Sequence, residues 1–249
     1  MDDNIKLSKE GIFEGRKDES ESSDFEEILK ILEKDYDHRV SPIAGWGFPT
    51  KERYAFLFKK QRFKVVKGLQ LYPDAKGKKG KFTRDPCWAT FRAGNFDFTV
   101  IAVHLLFGPQ RTEKERKESY KRRRRELEDL AIVYNTVQGT DDFENDVLLV
   151  GDFNLQPNDD AFEDIQISST YEVEPLILPP KTTNISKTAL YDNILLQPYY
   201  LEEYSGNSDV FFFHDLLEGT DIKPRRISNH IPVWAEFKIN LDADGAESQ

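Results

Sequence analysis

Asp146-Val147-Leu148-Leu149-Val150-Gly151-Asp152-Phe153-Asn154 is the stretch whose reading decides the fold. One acid leads into an apolar run, Val147 to Val150, closed by Gly151. That is the pattern of a strand buried on both faces. Beyond its carboxyl end stand a carboxylate, Asp152, and a carboxamide, Asn154. In an extended backbone, residues at i and i+2 point to the same side of a sheet. A buried strand that delivers two oxygen-bearing side chains to its end builds a metal or phosphate site. The competing reading is a polar turn, since Gly, Asp and Asn all favour turns.

Working outward, Cys87 to Ala93 and Phe96 to Leu106 predict paired strands about a Gly94-Asn95 turn, with His104 near the end of the second. A helix is expected over 112–138, its buried face marked by Leu127, Leu130, Ala131, Tyr134 and Val137. The basic run Lys121 to Arg125 falls within it and is expected to be a solvated face, although it is also placed to skirt a polyanion. Upstream, Asp24 is expected to cap a helix to about Asp35, and Tyr54 to Phe58 and Phe63 to Val66 are expected strands. Lys76 to Lys81 predicts a solvated turn in preference to a phosphate cradle. Downstream, the chain is expected to be irregular from Asn154 to about Leu190, with Pro175, Pro179 and Pro180. Tyr191 to Leu196 predicts a strand, 198–227 predicts loops with an aromatic patch at Phe211 to Phe213, and Ile231 to Ile239 predicts the last strand. Helices falling between groups of strands make an α/β layered domain. The expected organisation is a polar N-terminal segment at 1–24, one domain at 25–240 and a disordered tail at 241–249.

Composition narrows the function. The 249 residues carry a net charge of −10, so no global basic field draws in nucleic acid, and polyanion binding has to be local. Charged residues make up 32% and hydrophobic ones 38%, with mean hydropathy −0.64. The 12% of aromatics argues for a folded soluble protein with a polar surface, not for disorder. One cysteine, Cys87, rules out an internal disulfide and suits a reducing compartment. There is no long apolar run for a membrane span and no apolar leader in the first 24 residues, which points to a cytoplasmic protein.

The polar residues expected at strand ends are Glu52, His104, Asp152, Asn154, Asp192, Asn229 and His230. Two histidines among carboxylates and amides suit hydrolysis of a phosphate ester. That reaction needs an activated water, a proton for the leaving oxygen and positive charge beside the phosphoryl oxygens. Histidine matches the first two tasks near neutral pH, and carboxylate and amide oxygens are hard ligands for Mg²⁺ or Ca²⁺.

With the segments Lys51-Glu52-Arg53-Tyr54-Ala55-Phe56-Leu57-Phe58, Phe82-Thr83-Arg84-Asp85-Pro86, Val100-Ile101-Ala102-Val103-His104, Val147 to Asn154, Tyr191-Asp192-Asn193-Ile194 and Ser228-Asn229-His230-Ile231-Pro232-Val233, the chain resembles the endonuclease/exonuclease/phosphatase superfamily, and within it deoxyribonuclease I. The segments occur in the family's order over roughly residues 36–239. The resemblance implies a four-layer α/β/β/α sandwich of two packed mixed sheets, with a metal-dependent phosphodiesterase site at one edge and a Mg²⁺, Mn²⁺ or Ca²⁺ cofactor. It implies that His230 is the base, oriented by Asp192, and that Asp152 and Asn154 hold water, phosphate and metal. Glu52 and His104 would form a second acid/base pair, with Arg84 and Tyr191 facing the substrate.

Two departures stand out. The family's first strand, ending in asparagine, is missing, and only Gly11 to Asp18 matches its metal-ligating segment, making Glu14 the ligand and Arg16 a DNA-facing arginine. Asn4 to Gly11 is too polar for a central strand, so a sheet is expected to lack one partner. Asn229 stands where the family has aspartate, a metal ligand without its charge. The expected function is metal-dependent hydrolysis of DNA by a monomer, away from membranes. The competing readings are a catalytically impaired homologue that binds nucleic acid or a protein, and an inositol-phosphate or phospholipid phosphodiesterase.

Overall fold

The structure, a computed structural model, describes residues 4–8, 21–45, 52–72, 81–139, 146–166 and 172–241, with backbone alone at 4–8, 21–24 and 164. Its centre is the expected strand, β7 (Val147–Asp152). It pairs in parallel with β6 (Phe96–His104) and antiparallel with β9 (Asp192–Leu196). These three sit inside a six-stranded mixed sheet of order β4-β5-β6-β7-β9-β8, completed by β4 (Lys64–Leu71), β5 (Cys87–Ala93) and β8 (Glu174–Pro175). Alternation along these strands feeds two cores. Phe96, Phe98, Val100, Leu148, Ile194 and Leu196 face one side, while Ile101, Val103, Val147, Leu149 and Leu195 face the other. Burial on both faces is why β7 reads as a continuous apolar run instead of an alternating one.

On the second side lies α2 (Glu113–Gln138), started by a capping box in which Thr112 and Glu115 satisfy each other's backbone N–H. Leu127, Leu130, Ala131, Tyr134 and Val137 pack it against the sheet, as expected. The basic run does not behave as one solvated face. Arg122 and Arg124 pair with Glu126 and Glu128, Arg124 also with Asp160, and Arg123 turns inward and is buried.

On the first side the facing layer, among the described residues, is two antiparallel groups. One is β1-β11-β10, from β1 (Asn4–Ser8), β10 (Tyr204–Val210) and β11 (Val233–Lys238). The other is β2 (Tyr36–Val40) with β3 (Ala55–Lys59). Phe56, Phe58, Val233, Ala235 and Phe237 close the core between the layers. The result is the expected α/β sandwich, and it differs from expectation at three places. Asn4–Ser8 does pair, antiparallel to β11; an edge strand tolerates the polar sequence that a central one does not. α1 runs Glu21–Leu32, so Asp24 is inside the helix and not its cap, and the boundary expected at residue 24 falls within α1. β10 lies where loops were expected, because its register shifts between Tyr204 and Ser208 and Gly206 has φ +86°, which erases any alternation in the sequence. Lys76 to Gly80 and the tail from Asp242 lie outside the described residues. No described helix is long and apolar enough to cross a membrane.

Candidate active site

The site grows from strand pairing. In register, His104 of β6 sits opposite Asp152 of β7, and Asp152 sits opposite Asp192 of β9. Three chemistry-bearing residues far apart in sequence thus form one row at one edge of the sheet. β9 is antiparallel to β7, so its first residue, not its last, reaches that edge. His230 joins through an isolated bridge to Asn184, and Ile231 N–H donates to the Thr183 carbonyl at 2.7 Å. The Thr183 hydroxyl also accepts from the Tyr191 and Asp192 N–H groups at 3.0 Å each. Buried Thr183 therefore ties both halves of the His230–Asp192 pair together, a role no motif in the sequence announces.

The side chains close on Asp152 from two directions. His230 Nδ1 lies 2.8 Å from Asp192 Oδ2, and its Nε2 lies 3.8 Å from Asp152 Oδ2. His104 Nδ1 lies 2.9 Å from Glu52 Oε2, and its Nε2 lies 3.7 Å from the same Asp152 oxygen. Each imidazole is thus held at one nitrogen by a carboxylate and presents the other to the centre, an arrangement that sets tautomer and ring orientation. Asp152 and Asp192 are buried, and both histidines are partly open. Arg84 joins the first arm: its Nη2 donates to Glu52 Oε1 at 2.7 Å and its Nε lies 2.6 Å from Oε2. Burial pushes the Glu52 carboxyl up, but hydrogen bonds from His104 and Arg84 outweigh that and hold it below the ordinary glutamate value. Tyr54 is buried beneath this arm, and burial drives its hydroxyl far above the usual phenol range.

Asn154 reaches the site differently from expectation. Its φ is +52°, so the chain has left the extended conformation and strand alternation does not apply. Its N–H donates to Asp152 Oδ1 at 2.8 Å, and its Nδ2 donates to the Leu105 carbonyl at 2.8 Å. The turn is prepared by Gly151, whose φ is +150° and where a Cβ would stand 1.9 Å from the Val103 carbonyl oxygen. Asn229 is exposed, and its backbone carbonyl accepts from Ile185 N–H at 3.0 Å. Tyr191 is at the rim, its ring centroid 6.3 Å from that of Phe107. Glu14 and Arg16 lie outside the described residues.

Asp152, Asp192 and His230 offer ligand atoms that all lie within 4.8 Å of one another. With Asp192 engaged at His230 Nδ1, Asp152 remains as the carboxylate of this cluster that is open to an ion. Mg²⁺ is commonly held by one or two carboxylates, with water and substrate phosphate completing its shell, so the donor set fits a hard divalent ion.

Sequence reading passed over two more residues of the site's frame. Buried Glu126 accepts from Thr83 N–H at 2.8 Å and from the Thr83 hydroxyl, and its other oxygen accepts from Leu106 N–H at 2.9 Å. One helix carboxylate thereby fastens the backbone beside Arg84 and that beyond His104. Arg123, also buried, donates to the Phe107 carbonyl. Both belong to a charged helix whose sequence shows no outward sign of which charges turn in.

No protein-family model matches the chain. Its sequence is 28% identical over 220 residues to a deoxyribonuclease of Thioalkalivibrio sp. (strain K90mix), covering 80% of this chain and 54% of that protein. It is 29% identical over 215 residues to deoxyribonuclease gamma of Rattus norvegicus, covering 82% and 64%. In structure it matches the endonuclease/exonuclease/phosphatase from Bacteroides vulgatus with a TM-score of 0.53 at 15% identity, over 86% of this chain and 80% of that one. The chain has the endonuclease/exonuclease/phosphatase fold, and its sequence is similar to those of deoxyribonucleases. The chain spans between about half and two thirds of the length of these two curated relatives.

Proposed function

We propose that this chain hydrolyses phosphodiester bonds, with DNA as the substrate, by water activated at His230. The observation that carries the reading is the pair of carboxylate-backed histidines aimed at one oxygen of Asp152, at 3.7 and 3.8 Å. The likeness to two deoxyribonucleases supports DNA as the substrate.

His230 takes the proton of the attacking water at Nε2, and Asp192, buried at its Nδ1, stabilises the imidazolium that results. His104, on the opposite side of Asp152, gives a proton to the leaving oxygen, with Glu52 holding its ring. Asp152 and Asn154 position water and phosphate between them. A divalent cation, Mg²⁺ or Mn²⁺, held by Asp152 with Glu14 and Asn229, would supply positive charge beside the phosphoryl oxygens. Arg84 and Arg16 add cationic contacts to the phosphate backbone, and Tyr191 lines its path. The chain acts as a monomer in the cytoplasm without membrane attachment, a setting in keeping with its single, buried Cys87.

The test is plasmid nicking with Mg²⁺ or Mn²⁺, repeated in excess chelator and with Asn229→Asp. Cleavage is expected with metal and lost in chelator; undiminished cleavage in chelator contradicts the metal-assisted reading. Asn229→Asp restores a negative charge beside His230 and is expected to raise the rate about tenfold, the effect of ~1.4 kcal/mol in transition-state energy. If neither chain cleaves, the remaining reading is a homologue that binds DNA without cutting it.

A further inference from the structure

Phe107 stands three residues beyond His104, with 46% of its surface exposed. Single exposed apolar side chains are ordinary. What distinguishes this one is how firmly its backbone is held. The segment Leu106–Pro109 is fastened to α2 at three successive turns. Leu106 N–H donates to Glu126 at 2.9 Å, the Phe107 carbonyl accepts from Arg123, and the Pro109 carbonyl accepts from Ser119 Oγ at 2.9 Å. Gly108, at φ +73°, lets the segment press against the helix; a Cβ there would stand 2.3 Å from Ser119 Oγ. Glu126, Arg123 and Ser119 are all buried. Three buried polar side chains thus fasten the backbone that presents this exposed aromatic ring.

That place is the mouth of the site. Phe107 extends from the end of β6 and Tyr191 leads into β9, the two strands on either side of β7. Their rings meet at 6.3 Å, so the pair bridges the sheet edge where Asp152 ends β7. The Arg123 guanidinium lies 5.7 Å from the Phe107 ring centroid, and its Nε is buried without a hydrogen-bond partner among the described residues. The cation thus sits against the ring while its Nη1 holds the loop. An aromatic face backed by a guanidinium is the surface on which unpaired nucleobases stack.

We propose that Phe107, backed by Arg123 and flanked by Tyr191, is a stacking shelf for an unpaired nucleobase next to the phosphate at Asp152. The proposal rests on the phosphodiesterase reading and sharpens it. A base inside a duplex keeps both faces stacked on its neighbours and offers none to Phe107. The substrate class is therefore single-stranded or locally melted nucleic acid. Fastening the backbone of the segment beforehand lowers the entropy cost of ordering it on binding.

The experiment uses the full chain carrying His230→Ala, so that bound strands stay intact, and reads fluorescence anisotropy with three probes: a labelled 12-mer of thymidylate, an abasic 12-mer with the same phosphates, and a 12-base-pair duplex. Phe107→Ala is expected to weaken binding of the thymidylate strand about tenfold and to leave the abasic strand and the duplex unchanged. Phe107→Trp should keep the tight binding, whereas Phe107→Leu should lose it. An equal loss on thymidylate and abasic strands, or no loss on either, overturns the shelf. The Phe107 carbonyl that anchors Arg123 survives every substitution, so thermal midpoints should stay together. Cleavage by the chain with His230 restored separates the two readings. Base-dependent binding without cleavage leaves the shelf standing and removes hydrolysis. Cleavage without Phe107 dependence does the reverse.

Discussion

The two histidine arms that meet at Asp152 look alike and are wired differently. His230 has Asp192 behind it, a wholly buried carboxylate whose Oδ2 faces the ring at 2.8 Å. His104 has Glu52 behind it at a similar 2.9 Å, but Glu52 is also paired with Arg84 at 2.6 and 2.7 Å. Asp192 presents its charge to an imidazole from a fully buried position; Glu52 divides its charge between an imidazole and a guanidinium. A carboxylate stabilises an imidazolium in proportion to the charge it directs there. The arm with the fully buried carboxylate suits the residue that becomes positive as it takes the water's proton. The arm whose carboxylate is shared with Arg84 suits the residue that gives a proton away.

The sharpest way to break this comparison is to neutralise each carboxylate without changing its shape. Asp192→Asn should reduce turnover about 10³-fold, because the amide withdraws the stabilising charge and can hold the wrong tautomer. Glu52→Gln should cost about tenfold, since Arg84 already offsets much of that charge. Single-turnover cleavage rates of the two variants measure the difference, and equal losses would erase the division of labour. A smaller effect appears in stability. Glu52 binds its proton less readily in the folded chain than it would unfolded. Its contribution to folding is therefore fully present above the ordinary glutamate value of ~4.3 and fades as pH falls toward the lower native one. Denaturant unfolding of the chain and of Glu52→Gln should show the stability gap narrowing over that window. A gap that is constant with pH would mean that the pairing with Arg84 and His104 does not favour the ionised form.

The arms also show what the sequence discloses. β6, β7 and β9 are legible because each is buried on both faces, so apolar runs mark them regardless of partners. Their ends are legible too, which is why His104, Asp152 and Asp192 stand out before any pairing is known. What is hidden is whatever depends on register or on a charge turning inward. Asn154 looks like a simple i+2 partner of Asp152 until its positive φ is seen. Glu126 and Arg123 look like two more charges on a charged helix, and only packing reveals that they anchor the loops beside Arg84 and His104. β10 escapes notice because a bulge breaks its period, and β1 because an edge strand can be polar.

The central claim is that both arms serve one reaction at Asp152. It is tested most directly by the cleavage rates of His104→Ala, His230→Ala and the double variant, measured against the unsubstituted chain with Mg²⁺ present. Groups that act as one unit lose their effect together. Each single substitution should cost about 10²- to 10⁴-fold, and the double variant should be about as slow as the slower single one. Losses that multiply in the double variant, or a His104→Ala chain as fast as the original, would contradict the claim that the two arms act on one centre.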